Sequence, residues 1–163
     1  IIGEKDLRYV YSFTKLSRTG TPTTSPFPDY FASNVNYSIG VPEMMLIKAE
    51  ALARNNRKDD AVALLNTIRQ KRFKPADYVA LSATDNDAAL ALVLRERRIE
   101  LLYHGLRWFD LKRLNTDPKF KKDLSRVNLG KTYSLPAGSS NYLLPIAPKI
   151  ISINSAIIQN PRN

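Results

Sequence analysis

The sequence contains no cysteine, which excludes disulfides, thiolate metal sites and cysteine nucleophiles. Its one histidine, His104, has no second imidazole with which to share a metal, and neither HExxH nor EF-hand spacing occurs. Six scattered glycines form no GxGxxG, Walker-type or GxSxG loop. No metal or cofactor is therefore expected. No apolar run approaches the ~20 residues of a membrane-spanning helix. The opening Ile1-Ile2-Gly3-Glu4-Lys5-Asp6 lacks the apolar core of a signal peptide and does not begin with Met. It reads as a fragment or processed chain, with any targeting segment upstream.

What is present is a 163-residue chain with an ordinary globular balance, 44% hydrophobic and 25% charged. That suits one domain with a real core and argues against wholesale disorder. Lys and Arg exceed Asp and Glu by 25 to 15, a net charge of +10. Such an excess fits an anionic partner (nucleic acid or membrane), a solvated surface, or a partner chain of opposite field. Composition does not choose among them.

Residues 1–40 read as an aromatic-studded loop region, carrying Tyr9, Tyr11, Phe13, Phe27, Tyr30, Phe31 and Tyr37. Within it, the alternation from Leu7 to Phe13 predicts a short extended segment. Residues 41–163 read as a helical unit. Pro42 and Glu43 suit a helix start, and Met45, Ala49 and Leu52 predict its buried face. Asn55-Asn56 ends it. Asp59 or Asp60 is the expected cap of a second helix, with Ala61, Leu64, Leu65 and Ile68 facing inward. So short a connection makes an antiparallel hairpin resembling one tetratricopeptide unit, and small residues at 49 and 61 let the helices approach. One such unit cannot bury both its faces, so it is expected to stack on something else, either within the chain or in sequence outside it. A third helix is predicted from about Ala88 to Tyr103, stopped near Gly105, then a helical turn over 107–114. Residues 119–141 show little pattern, and 142–148 read as extended before proline.

The densest chemistry runs from Leu94 to Arg113. Glu96 and Glu100 share a helix face and repel unless cations neutralise them. They could be an acid–base pair. Threaded among Ile99, Leu101 and Leu102, they fit better as a half-buried structural network of Arg69, Glu96, Arg97, Glu100, Arg107, Asp110 and Arg113. Arg69 is expected to pair with Glu96 or Glu100. His104, four residues after Glu100, suits a local pair with it. Trp108 reads as a packed residue beside Phe109 and Leu111. The cations Lys112, Arg113, Lys119, Lys121, Lys122, Arg126 and Lys131 form a basic run. No nucleic-acid module organises it, and a solvated face or one opposing an acidic partner fits it better.

Three blocks carry a family resemblance: Val41-Pro-Glu-Met-Met-Leu-Ile-Lys-Ala-Glu-Ala51 with Ala61 to Arg72; Glu96-Arg-Arg-Ile-Glu100 through Gly105-Leu-Arg107-Trp-Phe-Asp110-Leu-Lys-Arg113; and Leu144-Pro-Ile-Ala-Pro148 with Gln159-Asn160-Pro161. In order and spacing they resemble the C-terminal portion of the SusD/RagB family. His104 departs from the family's usual Glu before that glycine, and Asn154-Ser155 from its Asn-Pro. The resemblance implies a mostly α, tetratricopeptide-like fold with long irregular loops. It also implies a non-catalytic nutrient-binding lipoprotein of the outer-membrane surface, partnered by a SusC-like TonB-dependent transporter and anchored by an upstream lipid. The implied ligand is an oligosaccharide, or a peptide in RagB-like members. Loop aromatics bind in such proteins, but no matched motif transfers a binding residue; Tyr30, Phe31 and Tyr37, in the loop-rich segment, are the binding candidates, the alternative being aromatics that pin that loop onto the helices. The rivals are a tetratricopeptide-like interaction module without a small ligand, a nucleic-acid binder, and a hydrolase using Glu96 and Glu100.

Overall fold

The computed structural model describes residues 3–16, 22–28 and 39–162. It is mostly helical, with six α-helices and two small two-stranded sheets among those residues. The chain divides into two compact units, Ile1–Gly105 and Leu106–Asn163.

In the first unit, α1 spans Leu7–Ser12 and runs into β1, Phe13–Leu16, which pairs antiparallel with β2, Pro22–Pro28. The expected extended run from Leu7 is thus a helix up to Ser12. The Asp6 side chain decides it, accepting the Arg8 backbone N–H at 2.9 Å as an N-cap. Asp6 also bridges to Phe73, and the Leu7 N–H donates to the Arg72 carbonyl at 2.9 Å. Tertiary anchoring overrides a local alternation whose apolar members are mostly aromatic.

The tetratricopeptide-like hairpin is α2, Val41–Arg54, and α3, Lys58–Arg69. Pro42 lies in the first turn of α2 and Glu43 near its positive end, as the sequence suggests. Asn55 caps the helix and Asn56 turns the chain with φ 61°. The start of α3 differs from expectation. Arg57 holds the cap position, while Asp59 and Asp60 lie inside the first turn, where they meet the helix dipole and Asp60 pairs with Arg57 at 2.8 Å.

The third helix, α4, covers Asn86–Glu100, capped by Asp85, whose side chain accepts the Ala88 N–H at 2.7 Å. It packs on both α2 and α3. Leu46, Ala49, Ala61, Leu65, Ala89 and Val93 are fully buried, so an alanine on each helix brings the three axes together around three larger side chains. The buried face of α2 is Leu46, Ala49, Glu50 and Ala53, one residue on from the expected Met45, Ala49 and Leu52. In α3, Val62 is buried where Leu64 was expected; Leu64 is half-buried.

The second unit opens with α5, Arg107–Leu114, which buries Asp110, Leu111 and Leu114. The patternless stretch 119–141 contains a hairpin: β3, Leu124–Asn128, pairs antiparallel with β4, Lys131–Leu135. Its residues are nearly all exposed, so no alternation of apolar and polar side chains marks it. A 3-10 turn at Ser140–Tyr142 and α6, Pro148–Ile153, complete the unit.

Candidate functional site

The charged side chains of the first unit meet in a closed cluster. Asp6 is buried by the helix it caps, and Glu96 is only 3% exposed. Arg8 bridges three carboxylates. Its Nη2 donates to Asp6 Oδ2 at 2.6 Å and to Glu96 Oε2 at 3.1 Å, and its Nη1 to Glu100 Oε2 at 2.9 Å. From α3, Arg69 Nη1 donates to Glu96 Oε1 at 2.8 Å. Its guanidinium sits 4.7 Å from the centre of the Phe73 ring. Arg72 forks onto Glu100, with Nε 3.0 Å from Oε2 and Nη2 on Oε1.

This geometry answers the repulsion between Glu96 and Glu100. Three guanidinium groups face three carboxylates, and every oxygen of the two glutamates already accepts from an arginine. The arrangement neutralises the pair and ties α1 and α3 to α4 through their arginines. Burial lowers the Arg8 pKa, but the hydrogen bond and charge of Asp6 and the charges of Glu96 and Glu100 outweigh it, and the net shift is upward. A folded-state pKa raised above an already high unfolded value adds stability that is fully present at every lower pH. Arg8 therefore loses none of this stability through its own deprotonation in the neutral range.

Asp6, Arg8 and Arg72 are cluster members that sequence reasoning missed, and Arg8 is the central one. It lies 88 residues from Glu96 and inside a segment that reads as a strand. Only the capping signal of Asp6 before Leu7 could have raised a helix there.

Arg97 is buried on α4. Arg107, Asp110 and Arg113 belong to the second unit, where Arg113 Nε donates to Asp110 Oδ1 at 2.9 Å. The expected His104–Glu100 pair does not form. Glu100 is taken by Arg8 and Arg72, α4 ends at Glu100, and Tyr103 turns left-handed with φ 68°. The His104 ring nitrogen Nδ1 lies 3.2 Å from the Leu102 carbonyl oxygen. Trp108 packs its ring 4.9 Å from that of buried Tyr142 yet stays partly exposed. Among the described residues no group of His, Asp and Glu could hold a metal ion. Tyr30, Phe31 and Tyr37 lie outside the described residues.

The motif blocks have physical work in the fold. The Asn66 side chain clamps Leu81, accepting its N–H at 2.8 Å and donating to its carbonyl at 3.0 Å. Gln159 does the same for Ile146, at 2.8 and 3.0 Å, and Asn160 donates to the Leu144 carbonyl at 2.6 Å. A side-chain amide thus replaces a neighbouring strand at two places where an extended segment has none.

The family model for the SusD family matches residues 32–162. SusD-like protein P38 from Formosa agariphila is 40% identical over 80 residues, 45% of this chain and 16% of that protein. SusD-like protein P2 from the same organism is 27% identical over 136 residues, 79% of this chain and 26% of its own length. The crystal structure of a SusD-like protein from Bacteroides fragilis superposes with a TM-score of 0.51 at 24% identity, covering 73% of this chain and 24% of that one. The chain thus spans about a quarter or less of the length of these relatives. With a family match over most of its residues and a helical fold shared with a SusD-like structure, this chain belongs to the SusD family.

Proposed function

We propose that this chain is the C-terminal part of a non-catalytic cell-surface subunit that binds an oligosaccharide and hands it to a SusC-like TonB-dependent transporter of the outer membrane. Membership of the SusD family supports the nutrient-binding role. The observation that carries the non-catalytic role is the cluster of Asp6, Glu96 and Glu100, whose glutamate oxygens are all engaged by Arg8, Arg69 and Arg72. Scaffold of this kind leaves recognition to loops. In this reading Tyr30, Phe31 and Tyr37 are the aromatic side chains assigned to stack on sugar rings.

Titration with a panel of neutral oligosaccharides, followed by chromatography of the recovered sugar, tests this reading. Binding with the glycan returned intact is the expected result. Replacing Tyr30, Phe31 or Tyr37 by alanine should weaken it about five- to tenfold each, the factor matching loss of ~1 kcal/mol of ring contact. Glycan turnover that disappears in Glu96→Gln would overturn the proposal. A peptide ligand would move the chain to the RagB-like reading. Transporter association without any small ligand would leave an interaction module.

A further inference from the structure

The β3–β4 hairpin ends in a turn whose chemistry the fold does not explain. Asn128 pairs with Lys131 across it, leaving Leu129 and Gly130 as a two-residue connection. Both have positive φ, 49° and 74°, the backbone of a type I′ turn. Gly130 suits that conformation. Leu129 does not: its Cβ is crowded there, and it lacks the short polar side chain that makes asparagine tolerable. Leu129 is also 98% exposed. A bulky aliphatic residue thus sits in an unfavourable backbone well and returns no packing to the protein.

Its surroundings identify a partner. Val127 is 68% exposed and Tyr133 52% exposed. Arg126 stands directly across from Tyr133, and Lys131 Nζ lies 5.3 Å from the centre of its ring. Among the described residues no carboxylate pairs with Lys121, Lys122, Arg126 or Lys131. The second unit holds ten Lys and Arg against three Asp, so +7 of the net +10 resides there, and no acidic residue occurs after Asp123. Those three aspartates are engaged internally: Asp110 by Arg113, Asp117 by the Lys119 backbone N–H and Asp123 by the Ala137 backbone N–H.

An aliphatic tip, an aromatic ring just behind it and a collar of cations is the chemistry that seats a protein on a charged bilayer surface. A nucleic acid would use the cations and the ring but has no use for Leu129. We infer that the β3–β4 hairpin docks on an anionic lipid surface, with Leu129 and Val127 entering the headgroup boundary and Arg126 and Lys131 meeting the phosphates. The contact is shallow and reversible. It rests on the cell-surface reading only for the source of the surface; the hairpin chemistry stands apart from nutrient binding.

Co-sedimentation of the 163-residue chain with vesicles tests this. Equimolar phosphatidylglycerol and phosphatidylcholine is compared with phosphatidylcholine alone, at about 0.05 M and about 0.5 M salt. The chain should partition to the anionic vesicles at low salt, about tenfold or more above either the neutral vesicles or high salt. Leu129→Asn suits the turn, so the variant stays folded, and it should lose about tenfold or more of the partitioning, as removal of a buried leucine implies. The double change Arg126→Glu with Lys131→Glu should lose at least as much.

Equal sedimentation with neutral vesicles, or none with either, overturns the inference. So does a Leu129→Asn variant that partitions like the wild type while the charge reversals do not. That outcome marks a general polyanion patch for an acidic protein, glycan or nucleic acid. Neutral-oligosaccharide titration of the same variants separates the two proposals. Unchanged glycan affinity with lost vesicle binding supports the hairpin assignment, and vesicle binding with no glycan affinity in any variant removes the nutrient-binding reading alone.

Discussion

Arg8→Met should destabilise the protein by about 3–5 kcal/mol, the cost of removing one partner from a buried charge cluster. The side chain is only 11% exposed and holds Asp6, Glu96 and Glu100 at once. Methionine fills much of the volume but donates nothing. Three carboxylates then share two arginines, and Asp6 loses its charge partner while still capping α1. Against a total stability of about 5–15 kcal/mol, the loss is a third or more for many domains. Urea unfolding read by far-ultraviolet circular dichroism measures it. Adding Glu96→Gln and Glu100→Gln to Arg8→Met should recover part of the loss, because neutral amides remove the uncompensated charge. A loss below about 1 kcal/mol, the level of an exposed pair, would show that the cluster is hydrated and does not lock the helices.

Arg8 also shows where the sequence stops being readable. The helices α2, α3, α4 and α5 carry their own signals: Pro42 and Glu43, the acidic first turn of α3, the Asp85 cap, and charges spaced by helical turns. Short-range rules therefore find them. The pairing of Arg69 with Glu96 follows from two charged helix faces that must meet. Arg8 offers only the Asp6 cap before it, since its glutamate partners lie 88 and 92 residues away and its own helix has only six residues. The β3–β4 hairpin is silent for another reason. A strand pair exposed on both faces imposes no period of two, and a leucine in the turn hides the usual Asn-Gly signature. Both misses lie where distant contacts or an external surface, not local propensity, set the residue.

Leu46→Ala should cost about 2–5 kcal/mol, and Met45→Ala about 1 kcal/mol or less. The contrast tests which face of α2 meets the core. Met44, Met45, Leu46 and Ile47 are four apolar residues in a row, so a period of 3.6 allows more than one buried stripe. The stripe through Met45, Ala49 and Leu52 is wholly apolar. The one through Leu46, Ala49, Glu50 and Ala53 includes a charge, yet it is the buried one. It is tolerable because Arg54, one turn on, donates to Glu50 Oε1 at 3.0 Å. Choosing it places Ala49 and Ala53 against the neighbouring helices and leaves Leu46, fully buried, to fill the space between them. Cutting Leu46 back to alanine opens a cavity lined by α3 and α4 side chains that cannot collapse around short, already close-packed alanines. Met45 is half-buried and flexible, so its neighbours and solvent fill the gap. Equal losses for the two variants, read from parallel urea titrations, would mean that α2 is rotated by one residue from the face described here.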